Sequence, residues 1–201
     1  MSRGLTFQTI QRNGAVVLVG STHLESFLSA YSNDGVEING SREREAQLME
    51  IREFVARACE SGGVDLVIVG GDMNHDDHEK ASSATNKHWN DFNVLETLGN
   101  GWRDAYIEAA GGGDFNWRES VTYDGQKNPM LGNSLKARWD RILYFVPASS
   151  RVTVSVEQCE VNGKETVAGA ERQMKKKVNP VTASDHYGVR AVFNVAKKSE
   201  E

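Results

Sequence analysis

Hydrophobic and polar positions follow three different patterns along the chain, and each predicts a different element. In LTFQTIQRNGAVVLVGSTH, residues 5–23, an alternating run and an apolar run flank Asn13-Gly14. That dipeptide is the strongest short signal for a tight β-hairpin. In REREAQLMEIREFVARACE, residues 42–60, Leu48, Ile51, Val55 and Ala58 recur at helical spacing. This predicts an amphipathic helix with Ser41 as N-cap and Gly62-Gly63 as stop. VDLVIV, residues 64–69, is apolar without alternation. It reads as a strand covered on both faces. Strand, helix and strand in succession make an α/β unit.

Further along, Trp89, Phe92, Leu95 and Leu98 fall on one face of a second helix ending at Gly99. Tyr31 to Gly35 read as a polar turn, and residues 109–136 as loop. Strands resume at RWDRILYF and RVTVSVEQCEV. GAERQMKKKVNP reads as a charged connection, and YGVRAVFNV as the last strand.

The remaining bulk properties narrow the function. The chain has 201 residues and a formal net charge of -5, which argues against a globally basic nucleic-acid clamp but leaves a local basic surface open. The run RQMKKK, residues 172–177, reads as a solvated loop or as one that follows a nucleic acid. Two distant cysteines, Cys59 and Cys159, fit a reducing compartment better than a disulfide framework. No apolar run approaches the roughly 20 residues of a membrane helix, so no membrane partner is expected.

The candidate chemistry begins at VIVGGDMNHDDH, where polar groups crowd directly after a buried strand. Loops at the carboxyl ends of such strands are where α/β proteins place their sites. An EF-hand is excluded, because the sixth position is Asp77 and the twelfth Ser83 where glycine and glutamate are needed. The chain has no GxxxxGK[ST] phosphate loop. Metal-assisted phosphate-ester hydrolysis remains. Asp72 and Asn74, two apart in an extended stretch, would point the same way and offer hard oxygen ligands or a grip on water. Asp140 falls inside the strand RWDRILYF and needs a partner there. That partner is Arg138 or Arg141, or else a histidine that Asp140 orients. ASDHYG supplies His186, which could stabilise charge on a phosphate. STHLES adds His23 and Ser26 at the end of another strand.

Taken in order, STHLES, VIVGGDMN, RWDRI and SDHYG resemble the endonuclease/exonuclease/phosphatase superfamily. Within it, HLES, the double glycine and VTYDGQKN are most similar to the branch that opens 5′-phosphotyrosyl bonds on DNA. The resemblance implies an α+β fold, a four-layer α/β sandwich with two mostly antiparallel sheets between helices. It implies an Mg²⁺- or Mn²⁺-dependent phosphodiesterase acting on DNA or a DNA–protein adduct, inside the cell, nuclear or cytoplasmic. It gives Asp72 the activation of water, Asn74 the holding of that water, and His186, oriented by Asp140, the stabilisation of the transition state. Asp185 and Asp72 would lie at the metal. His23, Ser26 and Tyr123 would contact substrate.

Two departures stand out. His75, Asp76 and Asp77 add negative charge where DNA would lie. The superfamily also brings an asparagine and a metal-binding glutamate from strands that precede the THLES strand, and residues 1–22 contain no acidic residue. Residues 1–196 are therefore expected to match the C-terminal portion of such a domain, lacking its N-terminal strands, with 197–201 a frayed tail. The alternatives are action on an inositol phosphate, a phospholipid or RNA, or a non-catalytic chain that binds nucleic acid or a partner. A binuclear phosphoesterase is disfavoured, since neither D-x-H nor GDxxD is present upstream of GDMNHDDH.

Overall fold

The structure, a computed structural model, describes residues 3–26, 30–31, 37–38, 40–77, 92–112, 115–174 and 177–198. The chain opens with β1 (Leu5–Arg12) and β2 (Ala15–His23), followed by the short β3 (Ala30–Tyr31) and β4 (Glu37–Ile38). Helix α1 (Ser41–Glu60) leads into β5 (Leu66–Asp72). Then come α2 (Val94–Leu98), β6 (Trp102–Asp104), α3 (Ala105–Ala109), and the short β7 (Tyr123–Asp124) and β8 (Lys136–Ala137). The chain continues through β9 (Asp140–Phe145), β10 (Val152–Asn162), β11 (Thr166–Met174), β12 (Lys177–Thr182) and β13 (Gly188–Lys197).

Five strands form the main sheet in the order β1-β2-β5-β9-β6. The predicted hairpin is present. Asn13 and Gly14 both have positive φ, 53° and 79°, and Arg12 pairs with Ala15. This is the two-residue turn whose twist matches the strands. β2 and β5 run parallel, with α1 as the crossover, whereas β9 is antiparallel to β5.

The unalternating run at β5 is covered on both faces, as its sequence predicts. On one face Val67 and Val69 pack with Leu48, Ile51 and Val55 of α1 and with Val94 and Leu98 of α2. On the other, Leu66 and Ile68 join Tyr144 and Ile142, against Val154 and Val156 of β10 and Ala191 and Phe193 of β13. Each such side chain buried contributes about 1.5–3 kcal/mol. The two faces together hold the carboxyl end of β5 in place.

The layers among the described residues are therefore helices, a mixed sheet, and the two-stranded β10-β13 sheet. Three of the four expected layers are seen, and β13 has a strand partner on one edge.

Several local expectations change. The N-cap of α1 is Gly40, at φ 73°, and Ser41 is the first helical residue. A side chain at Gly40 would press on the Ser26 carbonyl, 2.7 Å from its Cβ. Within the described residues α2 begins at Val94, capped by Asn93, whose side chain accepts from the N–H groups of Leu95 and Glu96. Trp89 lies outside the described residues, as do residues 32–35 of the expected turn. The charged connection is a hairpin, β11 with β12. Its charged residues stand on strands; residues 175–176 of the basic run lie outside the described residues. β13 runs to Lys197, and the Lys198 N–H donates to the Arg151 carbonyl at 2.9 Å. Of the expected tail, 199–201 lie outside the described residues.

Candidate active site

Strand register builds the site. His23 is opposite Asp72 in the β2–β5 pair, and Asp72 is opposite Asp140 in the β5–β9 pair. Three neighbouring strands thus deliver three functional groups in one row, and residues in register point to the same side of a sheet. Gly71 makes the row compact. It has φ 149°, and a Cβ there would sit 1.8 Å from the Thr22 carbonyl oxygen. Of the paired glycines it is the one whose missing side chain lets β2 and β5 close up beside Asp72.

The side chains meet at the end of that row. His23 Nε2 lies 3.3 Å from Asp72 Oδ2. His186, from the loop before β13, places Nδ1 2.8 Å from Asp140 Oδ2 and 3.9 Å from Asp72 Oδ2. A carboxylate is an acceptor only, so Nδ1 carries the proton and Nε2 faces away from Asp140. Asp140 is the first residue of β9, not its middle, which is why a histidine from another loop can reach it.

Burial lifts the Asp72 carboxyl above its ordinary value, and repulsion by Asp140 adds to this; the Asn74 N–H and the two imidazoles pull the other way. For His186, burial opposes the charged ring, but the hydrogen bond and charge of Asp140, with Asp72 and Asp185, outweigh it and raise its pKa.

Asn74 is not extended beside Asp72. It has φ 46°, its N–H donates to Asp72 Oδ1 at 2.8 Å, and its Nδ2 donates to the Leu24 carbonyl at 3.0 Å. It orients the Asp72 carboxylate and ties it to the end of β2. Ser26 accepts from Arg3 at 2.9 Å, and Arg3 also lies 3.5 Å from Glu25. Ser26 is thus joined to a basic side chain near the site. Asp185 is exposed and accepts from Ser184 Oγ at 3.2 Å. Tyr123 packs against Trp139 with ring centroids 4.6 Å apart and planes tilted by 38°, and meets His186 edge-on at 5.2 Å.

Asp72, Asp140 and His186 bring one ligand atom each within 4.8 Å of one another, a group that could hold a metal ion. The two carboxylates fit a hard divalent cation. Such an ion uses one or two carboxylates and completes its shell with water and phosphate oxygen. The repulsion between Asp72 and Asp140 is what a bound cation would relieve. The site lies between two clefts. One of about 540 Å³ is lined by Arg3, Phe7, His23, Gln47, Phe54 and Arg57, among others; the other, of about 530 Å³, by Asp140, Ile142, Gly188 and Phe193, among others.

The remaining polar residues after Asn74 do something else. Arg141, which is 2% exposed, pairs with Asp104 at 2.8 Å and Asp77 at 2.6 Å, and Arg138 pairs with Asp104 at 2.6 Å. Asp76 accepts from the Arg138 N–H at 2.7 Å. His75 stacks on Phe92 at 4.1 Å. The expected run of negative charge facing DNA is therefore a buried, paired network. Arg138 and Arg141 are partners of Asp104 and Asp77; Asp140 pairs with the histidine.

No family model matches the chain, and no curated protein does. Solved structures do. D. rerio TDP2 complexed with single-strand DNA product is 21% identical, with a TM-score of 0.63 over 96% of this chain and 62% of that one. Truncated Caenorhabditis elegans TDP2 is 22% identical, with a TM-score of 0.59 over 98% and 60%. Staphylococcus aureus beta toxin is 21% identical, with a TM-score of 0.61 over 94% and 57%. The fold is the one that these TDP2 and beta toxin structures share. The chain spans about 60% of the length of these TDP2 structures.

The sequence missed three contributors. Arg3 had no motif around it. Thr122, whose hydroxyl accepts from the N–H groups of Trp139 and Asp140, and Asn128, whose Nδ2 donates to the carbonyls of Ser184 and Asp185, sit in a segment read as loop, where the turn signature Tyr-Asp-Gly was the available signal.

Proposed function

We propose that the chain is a phosphoric ester hydrolase dependent on Mg²⁺ or Mn²⁺, with 5′-phosphotyrosyl DNA or a related ester as substrate. The observation that carries this is the convergence of Asp72, Asp140 and His186 within 4.8 Å on a fold shared with TDP2. Asp72 and Asp140, with exposed Asp185 nearby, would hold the metal, which would supply neutralisation of charge on the phosphate oxygens. Asp72 takes a proton from the attacking water. Asn74 fixes the direction of that carboxylate. The water oxygen bonds to phosphorus as the bond to the leaving oxygen breaks. His186, kept protonated by Asp140, donates from Nε2 to a phosphate oxygen as charge builds there. His23, Ser26 with Arg3, and Tyr123 contact the substrate on either side, and the Tyr123 ring offers a stacking surface for a base. Both cysteines are free thiols, in keeping with an intracellular setting, nuclear or cytoplasmic. Among the described residues no helix is long and apolar enough to cross a membrane.

A second reading, a chain that binds nucleic acid or a partner without turnover, draws support from the two-stranded β10-β13 sheet that stands against five strands. Release of tyrosine from a 5′-phosphotyrosyl oligonucleotide in Mg²⁺, beside p-nitrophenyl phosphate, an inositol phosphate and sphingomyelin, separates the readings. Turnover of the oligonucleotide above the others, lost in Asp72→Ala, supports the first. A folded chain that turns over none of them with Mg²⁺ or Mn²⁺ supports the second.

A further inference from the structure

The loop between α3 and β9 has little regular structure, yet it holds both halves of the His186–Asp140 pair. Asp124 starts the arrangement. Its Oδ1 accepts from the N–H groups of Gln126 and Lys127, each at 3.0 Å, and its carbonyl accepts from the Asn128 N–H at 2.8 Å. This tight turn drives Asn128 inward, to 1% exposure.

There Asn128 makes four side-chain hydrogen bonds. Nδ2 donates to the carbonyls of Ser184 at 3.0 Å and Asp185 at 3.1 Å. Oδ1 accepts from the Met130 N–H at 3.0 Å and lies 3.0 Å from the Thr182 hydroxyl, whose one proton is shared with the Ser184 carbonyl at 2.7 Å. Two donors and two lone pairs are the whole capacity of an amide. The two carbonyls it grips are those of the residues immediately before His186. On the other side, the Tyr187 N–H donates to the Thr122 carbonyl at 2.7 Å. The Thr122 hydroxyl accepts from the N–H groups of Trp139 at 3.2 Å and Asp140 at 3.0 Å.

We propose that Asn128 is a positioning residue: with Thr122 it fixes the backbone on both sides of His186, so that the imidazole meets Asp140 and faces the Asp72 site. The 2.8 Å bond between His186 and Asp140 has little tolerance. N–H···O bonds keep to about 2.7–3.2 Å and weaken steeply once the angle falls below about 120°, and a loop displaced by about 1 Å lowers rate by on the order of 10²-fold. Buried asparagines also serve folds with no catalytic role. The two cases differ in what happens at the imidazole.

This proposal deepens the hydrolase reading, and the test keeps the two apart. In the ¹⁵N-labelled full chain, the His186 Nδ1–H proton bonded to Asp140 gives a downfield signal, assigned by its loss in His186→Ala. Asn128→Ala is expected to abolish or broaden it at a temperature where circular dichroism shows a folded chain. Asn128→Asp, which keeps the size and the oxygen facing Met130 and removes the Nδ2 amide that holds the Ser184 and Asp185 carbonyls, should broaden it too and decides the question if Asn128→Ala does not fold. On substrate, Asn128→Ala should lower kcat by on the order of 10²-fold with KM little changed, and should have little further effect in a His186→Ala background. An unchanged Nδ1–H signal in folded Asn128→Ala, or in Asn128→Asp where that variant decides, overturns the proposal. So does an equal fractional loss of kcat with or without His186. If the wild-type chain turns over no substrate, the hydrolase reading falls and the imidazole signal alone decides Asn128.

Discussion

One stretch of six residues, Asp72 to Asp77, feeds two polar clusters of opposite character. Asp77 and Asp76 go to the network of Arg138, Arg141 and Asp104. Burial alone would lift the Asp104 carboxyl, but Arg141 and Arg138 reverse this and hold it below its ordinary 3.8. Asp77 is likewise held low by Arg141 and His75 against its own burial. Asp72 and Asn74 go to the open cluster, where Asp72 meets imidazoles and another carboxylate and its pKa is raised. The first cluster has its charge compensated and holds the loop and β9 together. The second has charge left over, and charge left over is what can take up a proton or a cation. Position after a buried strand selects neither cluster; the presence of arginine partners does.

That contrast can be broken most strongly at His186. His186→Ala should lower kcat by about 10²–10³-fold while the urea midpoint stays close to wild type, as steady-state kinetics and an unfolding titration would show. A comparable loss of stability would place His186 in the scaffold. Arg141→Ala should do the reverse. Leaving Asp104 and Asp77 buried without their partner should cost about 3–5 kcal/mol of stability, read from the same titration.

Acid provides a subtler probe. A carboxylate whose folded pKa is depressed contributes its stability above the unfolded value and loses it as pH falls through the folded one. For Asp104 and Asp77 that window opens below their ordinary 3.8. The melting temperature should therefore hold down to about pH 4 and fall progressively below it. The acid loss should be smaller in Arg141→Ala, because the depressed pKa values go with the guanidinium. The smallest expected effect is that of Tyr123→Phe. It removes a phenol that accepts from Asn133 at 2.8 Å and keeps the ring, so stability should change by about 0.5–1.5 kcal/mol and KM hardly at all.

The row of strand-end residues was legible because its signals are local. The apolar run of β5 and the glycines before Asp72 lie within a few residues of one another, as do Asn13-Gly14 and the helical stripe of α1. What was hidden depends on pairing across long separations. Arg138 and Arg141 meet Asp104 across 34 and 37 positions, and Asn128 meets Ser184 across 56. Asn74 was read as extended because period-2 spacing says nothing of a positive φ two residues past a strand. The β11-β12 hairpin was obscured by its composition: Glu171 and Arg172 are exposed strand residues, and charge resembles a linker when the strand has no buried face to mark.

The most direct test puts the two clusters side by side as Asp72→Asn and Asp77→Asn, each assayed at pH 7 for stability and for Mg²⁺-dependent hydrolysis of the phosphotyrosyl oligonucleotide. Asp72 has a raised pKa, so its ionised form is a cost in the folded state at neutral pH. Asp72→Asn should therefore keep or raise the melting temperature while removing turnover. Asp77→Asn should lose about 1.5–3 kcal/mol, and keep turnover at temperatures where it is folded. The opposite pattern, with Asp72→Asn unfolding the chain or Asp77→Asn alone abolishing turnover in a folded protein, would contradict the division between the compensated cluster and the reactive one.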